Sequence, residues 1–140
     1  MKREILFRGK RINNVTNKYE WIYGYLFIGN EHVYILSEKS SFEKDNAIIK
    51  KMRVDPETVG QYTGLKDKNG NRVFEGDCMQ NGIYVAWNPM ECRWGWFDKN
   101  GGYVAPLIAN PYNPDGRLAK EWSIQDHVLF NIHDNPELLT

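Results

Sequence analysis

The segment Thr58–Asp77, TVGQYTGLKDKNGNRVFEGD, is the part of the chain that best defines the fold. Its centre, Asp67-Lys68-Asn69-Gly70, lies between a run that contains tyrosine and leucine and the apolar pair Val73-Phe74. Asn-Gly between apolar runs predicts a β-hairpin, because both residues tolerate positive φ at little cost. Gly76-Asp77 then marks a second break before the next apolar stretch. The segment carries no catalytic signature, and it predicts a scaffold of short, tightly turned β-strands.

The same turn chemistry recurs along the chain. Gly29-Asn30, Asn81-Gly82 and Lys99–Gly102 each separate two β-prone runs, which predicts three further hairpins. Short helical segments are predicted at Pro56–Thr58, Arg117–Trp122 and Asn135–Leu139. This pattern predicts a mostly β fold, namely a strongly bent sheet or small barrel of short antiparallel strands with one or two short helices.

Length and composition indicate an ordinary globular protein. The 140 residues suit a single domain, residues 1–140, with enough chain to bury a core. Hydrophobic residues make up 41% of the chain and charged residues 26%, which is typical of globular proteins. Aromatic residues reach 14%, and because aromatic side chains favour strands, this content again favours β structure.

The charge balance argues against a dedicated nucleic-acid-binding protein. The 18 basic and 18 acidic residues give a formal net charge of zero, whereas nucleic-acid binders usually carry a basic excess. A local basic patch is compatible with this balance, so nucleic acid is a possible but not a favoured partner.

Cysteine use and hydropathy indicate a cytoplasmic protein. Cys78 and Cys92 are too few for a disulfide-stapled secreted domain, and both are expected to be reduced and mostly buried. The N-terminal sequence MKREILFRGKRI lacks the apolar region of a signal peptide. No apolar run approaches the ~20 residues of a membrane-spanning helix, so no membrane association is expected.

The clearest strand is Glu20–Ile28, EWIYGYLFI. Because side chains alternate along a strand, four aromatic residues share one face: Trp21, Tyr23, Tyr25 and Phe27. The opposite face is also apolar, which predicts a central strand that is covered on both sides. Burial in the core is the favoured interpretation of the aromatic residues. If they were exposed, they would form a platform for bases, proline-rich peptides or sugars.

No cofactor or metal site is predicted. The chain has no nucleophile elbow, zincin motif or phosphate-binding loop. Its three histidines are His32, His127 and His133. On one extended strand the last two would lie ~20 Å apart, which is too far to share a metal ion.

Three carboxylates are the weak candidates for catalysis. Asp67, Glu75 and Asp77 lie close in sequence, and one of them could serve in acid–base chemistry if it were buried. Structural roles are favoured instead, because aspartates at turns accept hydrogen bonds from backbone N–H groups. No residue is therefore assigned a catalytic role.

The candidate binding surface combines aromatic and basic residues. Trp94 and Trp96 are two residues apart and follow Arg93, a combination that suits base stacking and cation–π contact. Lys10 and Arg11 belong to a basic N-terminal segment that would contact phosphates. These basic residues could equally form a solvated face.

Three blocks of the chain carry a resemblance to a known family. They are REILFRGKRI with EWIYGYLF (Arg3–Ile12 and Glu20–Phe27), VDPETVGQYTGLKDKNGNRVFEGD (Val54–Asp77) and NIHDNPELL (Asn131–Leu139). Together they resemble the YopX family of bacteriophage and prophage proteins. The resemblance implies a mostly β, phage-associated protein of unknown function, and it provides no catalytic residues.

The predicted function is that of a phage or prophage accessory protein, located in the cytoplasm of the host bacterium, that acts by binding or assembly. Exposed sheet edges favour homo-oligomers, and a host or phage protein is a further possible partner. Two alternatives remain open. The first is a single-stranded nucleic-acid-binding module, and the second is an unrecognised enzyme that uses the turn carboxylates.

Overall fold

A computed structural model describes residues 3–37, 41–43, 46–48, 51–79, 81–113, 115–124 and 130–139. The described strands are β1 Phe7–Asn13, β2 Lys18–Ile28, β3 Val33–Ser37, β4 Ser41–Glu43, β5 Asn46–Ile48, β6 Lys51–Lys66, β7 Arg72–Phe74, β8 Asp77–Cys78, β9 Tyr84–Asn88, β10 Arg93–Phe97, β11 Tyr103–Pro106, β12 Asn110–Tyr112, β13 Leu118–Ser123 and β14 Phe130–Asn131. The described helix is a 3-10 helix, Pro136–Leu139. The predicted mostly β fold is confirmed, and so is the helical turn near the C-terminus.

The chain forms two compact units, Met1–Gln61 (unit 1) and Tyr62–Thr140 (unit 2). Strand β6 contributes to both, because its first part pairs with β1 and β3 and its last part pairs with β7 and β13. The expectation of a single domain stays a prediction.

Unit 1 is a partly closed ring of strands rather than a true barrel. Strand β2 pairs antiparallel with β1 and with β3, and β6 pairs antiparallel with both β3 and β1. Its buried apolar residues include Leu6, Ile35 and Val54. Gly24 allows β2 to approach β3 closely, because a Cβ atom at this position would lie 1.8 Å from the carbonyl oxygen of Leu36.

Unit 2 contains an antiparallel sheet in the order β11-β10-β9-β8-β14 and the antiparallel pairs β6–β7 and β12–β13. One cluster of buried apolar residues among its described residues comprises Val73, Val85, Trp96 and Ile124. The predicted hairpins at Asn81-Gly82 and Lys99–Gly102 are confirmed, since they connect β8 to β9 and β10 to β11.

The predicted helix Arg117–Trp122 is wrong, because these residues belong largely to strand β13. A tight turn precedes the strand: Asn113 N–H donates to the Arg117 carbonyl at 2.8 Å, and Gly116 has a φ of +84°. This turn directs β13 back along β12, so pairing between strands overrides the local helical preference.

The predicted helical turn at Pro56 is also wrong, since β6 continues through it. The hydrogen bonds of a local turn are nevertheless present, because Thr58 Oγ1 donates to the Asp55 carbonyl at 2.6 Å. The pairing register between β1 and β6 shifts at this point, and Lys10 N–H donates to Thr58 Oγ1 at 2.8 Å. The turn residues therefore form a bulge in a strand.

None of the helices in the described ranges has the length and apolar character needed to cross a membrane.

Candidate functional site

The most distinctive surface of unit 1 is the aromatic face of β2, which comprises Tyr19, Trp21, Tyr23, Tyr25 and Phe27. Tyr19 is 62% exposed and Tyr25 is 60% exposed; Tyr23 and Phe27 are also exposed, whereas Trp21 is half-buried. The predicted cover on both sides of this strand is therefore wrong. A ring of strands has one interior, so at most one of the two apolar faces of a strand can turn inward; on the opposite face of β2, Ile22 and Leu26 are half-buried.

Basic side chains of β1 lie on the same side of the sheet as the aromatic face. Lys10 is directly opposite Trp21 in the register, and directly opposed residues share a face. The Lys10 Nζ atom lies 5.5 Å from the ring centroids of both Trp21 and Tyr19. The guanidinium carbon of Arg8 lies 4.5 Å from the Trp21 centroid. Arg8 is only 6% exposed, so Lys10 supplies the accessible positive charge at this edge of the aromatic face.

Strand β6 supplies cations at the other edge, beside Tyr34 of β3. Phe27 is opposite Tyr34, and Tyr34 is opposite Arg53, so all three share one face. Lys51 lies two residues before Arg53, and its Nζ atom is 4.5 Å from the Tyr34 centroid and 5.5 Å from that of Phe27. Lys51 and Arg53 are exposed. The exposed aromatic rings are thus bordered by positive charge on two sides.

A groove of about 680 Å³ adjoins the face at its Tyr19 end. Its charged lining residues are Lys10, Arg11, Glu31, Arg53 and Asp55. Arg11 is engaged locally, because its Nε atom donates to Glu20 Oε1 at 2.6 Å. That hydrogen bond, followed by one from Asn13, lowers the pKa of the Glu20 carboxyl below its usual value. Mixed charge makes the groove a weaker anion site than the cationic edges of the aromatic face.

The residues of the predicted binding surface are divided between the two units. Lys10 and Arg11 belong to unit 1, whereas Arg93, Trp94 and Trp96 belong to unit 2. Trp96 is 7% exposed and lies in the core of unit 2, so the stacking role predicted for it does not hold. Trp94 is half-buried, with its ring edge-on to that of Trp87 at a centroid distance of 5.2 Å.

Arg93 is exposed but already paired with a neighbouring acid. Its Nε atom donates to Glu91 Oε2 at 2.8 Å, and Tyr103 Oη donates to the same oxygen at 3.1 Å. The hydrogen bond from Arg93 is the main reason why the pKa of Glu91 is lowered. Of the predicted binding residues, Lys10 lies beside the exposed Tyr19 ring of the aromatic face.

The sequence indicated Lys51 and Arg53 as basic residues that either contact phosphates or form a solvated face, but it did not place them, or Tyr34, beside the aromatic face. Their place beside β2 follows from the registers of β2 with β3 and of β3 with β6, and these depend on contacts between distant segments. The alternating pattern of Glu20–Ile28 was the available signal for the aromatic residues themselves.

The turn carboxylates act as hydrogen-bond acceptors within the fold. Asp67 is buried, and its Oδ1 atom accepts the N–H groups of Asn69 and Asn71, both at 2.9 Å. Asp77 is also buried, accepting Phe74 N–H at 2.8 Å and Asn131 Nδ2 at 3.2 Å. These bonds support the structural roles that the turn chemistry predicted.

The described residues contain no group of three or more histidine, cysteine or acidic side chains that could hold a metal ion. His32 lines the groove, and its ring is edge-on to Tyr34 at 6.4 Å. His133 lies in unit 2, where its N–H donates to Asn131 Oδ1 at 2.8 Å. His127 falls outside the described residues.

The two thiols have different environments. Cys78 is fully buried, as expected, and burial, followed by the charges of Asp77 and Glu137, raises its pKa to about 11. Cys92 is exposed on the turn between β9 and β10, so its predicted burial is wrong. Both cysteines are free.

The family model described as YopX protein matches residues 7–140. The chain belongs to the YopX family. The resemblance seen in the sequence is therefore confirmed over nearly the whole chain. No curated protein and no solved structure matches it. Two of the blocks that carry the YopX resemblance meet in unit 2, where Asp77 pairs with Asn131 between β8 and β14.

Proposed function

We propose that this YopX protein is a phage or prophage accessory protein that acts in the host cytoplasm by binding, without catalysis, and that its ligand is single-stranded nucleic acid. The observation that carries the proposal is the exposed aromatic face of β2 with cationic edges. The surface differs from the one that the sequence suggested, although the class of ligand is the same as in the first alternative considered above.

Aromatic rings and cations have separate uses in such a site. Every base has a flat apolar face, so exposed tyrosine and phenylalanine rings stack with bases irrespective of sequence. Lysine and arginine beside them neutralise the phosphates, which supplies much of the affinity and makes it salt-dependent. A duplex hides the faces of its bases, so the aromatic face favours single strands.

A net charge of zero does not conflict with this proposal. Three cations, Lys10, Lys51 and Arg53, border the aromatic face. They outnumber the acid beside them, Asp55, which is opposite Lys10 in the register. The cations are therefore grouped on one surface, and binding depends on the local potential rather than on the total charge.

The test is the binding of fluorescein-labelled oligothymidylate at low salt, measured by anisotropy. Tyr25→Ala should weaken binding by about 1–3 kcal/mol, because one stacked base is lost. Lys51→Gln should also weaken binding and reduce the slope of log K against log salt by about 0.7.

Matched controls are available in unit 2. Tyr112 is 56% exposed and Lys99 is exposed in a turn, so Tyr112→Ala and Lys99→Gln remove the same kinds of group elsewhere. Both should bind like the wild type. The absence of binding to any single strand at low salt would overturn the proposal, and so would equal losses in the control variants.

Self-association is the second candidate function, because Tyr25 and Phe27 are exposed close together on one face of β2. A second copy of the chain would bury these apolar groups, but it would also bring Lys51 and Arg53 of the two copies together. Light scattering coupled to gel filtration decides between the candidates. A dimer that Tyr25→Ala dissociates would support assembly, whereas a monomer at high concentration would exclude it.

A further inference from the structure

We infer that the bound strand lies along β2, with one base on each accessible ring, so that the site takes an extended, unstacked strand of about five nucleotides. This inference rests on the proposed function. It specifies the length of the bound strand, its conformation and its path over the sheet. It follows from the spacing of the rings and from the arrangement of the neighbouring strands.

The spacing of the rings sets the conformation of the ligand. Side chains on one face of a strand repeat every two residues, or roughly 6.6 Å, whereas stacked nucleotides are separated by roughly 3.4 Å. Consecutive bases can therefore occupy consecutive rings only if the strand is stretched about twofold and its bases no longer stack on one another. A flexible single strand meets this requirement, and a duplex does not.

The accessible rings set the length of the ligand. Tyr19, Tyr23, Tyr25 and Phe27 are exposed and offer ring faces to bases. Trp21, between the first two, is half-buried, and the guanidinium carbon of Arg8 lies 4.5 Å from its ring centroid. The nucleotide at this position is therefore held through its phosphate by Lys10, and the five positions together give a site of about five nucleotides.

The neighbouring β-strands indicate that the bound nucleic acid runs along β2 rather than across the sheet. Across the sheet, β1 presents Arg8, Lys10 and Ile12 opposite β2, so no second aromatic ring follows on that side. On the β3 side, Tyr34 lies 6.1 Å from Phe27, which gives one pair of rings. A strand that crossed the sheet would meet at most two rings, whereas a strand along β2 meets all four exposed ones. The longer path provides more stacking.

The experiment is a length series of oligothymidylates from dT2 to dT10, measured with the wild-type chain at one low salt concentration. The affinity should rise steeply up to about five nucleotides. Beyond that length it should rise only slowly, in proportion to the number of five-nucleotide positions that a longer strand offers. Tyr25→Ala should lower the affinity for dT5 by about 5- to 150-fold, the range that corresponds to one lost stacking contact. Phe27→Ala, at the end of the row, should shorten the saturating length by one nucleotide.

Three results separate this inference from the proposed function. Saturation at two nucleotides, or a steep rise that continues to dT10, would overturn the path along β2 while leaving single-strand binding intact. Binding of a hairpin duplex as strong as that of dT5 would contradict the unstacked conformation. The absence of binding at every length would overturn the proposed function itself. Thermal unfolding of each variant, with Tyr112→Ala as the control, shows that the losses do not come from misfolding.

Discussion

Two turns of unit 2 are built from the same four residues, Asp-Lys-Asn-Gly, but they differ in the burial of the aspartate. Asp67 accepts Asn69 and Asn71 N–H groups at 2.9 Å, and Asp98 accepts Asn100 and Gly102 N–H groups at the same distance. Asp67 is 2% exposed, whereas Asp98 is half-buried. The same local sequence therefore makes the same turn in two different environments.

The comparison separates what determines a turn from what makes it important for stability. Both turns connect antiparallel strands, and in both a glycine has positive φ, +85° at Gly70 and +81° at Gly101. Water can replace the carboxylate of half-buried Asp98 more readily than that of Asp67, whose side chain is buried. The two turns should therefore respond differently to the same substitution.

The largest expected effect is that of Asp67→Ala compared with Asp98→Ala. Asp67→Ala leaves two N–H groups beside a buried site without their acceptor and should lower the free energy of unfolding by about 2–3 kcal/mol. Asp98→Ala should cost about 1 kcal/mol, because water replaces the carboxylate. Urea unfolding, followed by tryptophan fluorescence, measures both. Equal losses would show that burial has no influence on the two turns, and Asp67→Asn, which keeps one acceptor oxygen, should recover part of the loss.

The buried thiol of Cys78 offers a second measurement of the same difference. With the exposed thiol removed by Cys92→Ser, alkylation at pH 8 reports how often unit 2 opens. Asp67→Ala should speed the labelling of Cys78 by roughly 30- to 150-fold and Asp98→Ala by roughly 5-fold, in proportion to the stability lost. Similar rates in the two variants would contradict the comparison.

The pH dependence of stability, measured by urea unfolding, also has a definite sign. The folded state raises the pKa of Cys78 from 9.0 to about 11, so the folded protein holds this proton more tightly than the unfolded chain does. The corresponding stability is fully present below pH 9 and is lost as the pH rises towards 11. Stability should therefore fall over this interval in the wild type, and the fall should be smaller in Cys78→Ala.

Local chemistry explains how much of the fold could be predicted. Asn-Gly and Gly-Gly turns require positive φ wherever they occur, so the hairpins at Gly70, Gly82 and Gly101 followed from the sequence. The strand conformation of Arg117–Trp122 could not be predicted in this way, because it comes from pairing with β12. The ring of unit 1 likewise depends on the pairing of β6 with β1, which are far apart in the chain.

The candidate site was only half predictable for the same reason. Alternation along Glu20–Ile28 placed the aromatic residues on one face, but which face meets solvent depends on how the strands close. The cations Lys51 and Arg53 join the site through the register of β6 with β3. Alternation likewise predicted Trp94 and Trp96 on one face of a strand, but Trp96 is buried in the core of unit 2 and is not part of the surface.

The smallest expected effect is also the one that isolates the turn itself from its surroundings. Gly70→Ala and Gly101→Ala each place a Cβ on a residue with positive φ, and a Cβ at either position would have no neighbouring atom within 4 Å. Each loss then comes from backbone strain alone and should be about 1 kcal/mol. Urea unfolding should show equal losses within about 0.5 kcal/mol, in contrast to the aspartate pair. A glycine loss that was much larger at position 70 than at 101 would mean that the two backbones differ, and burial of Asp67 would then no longer be sufficient to explain the difference between the turns.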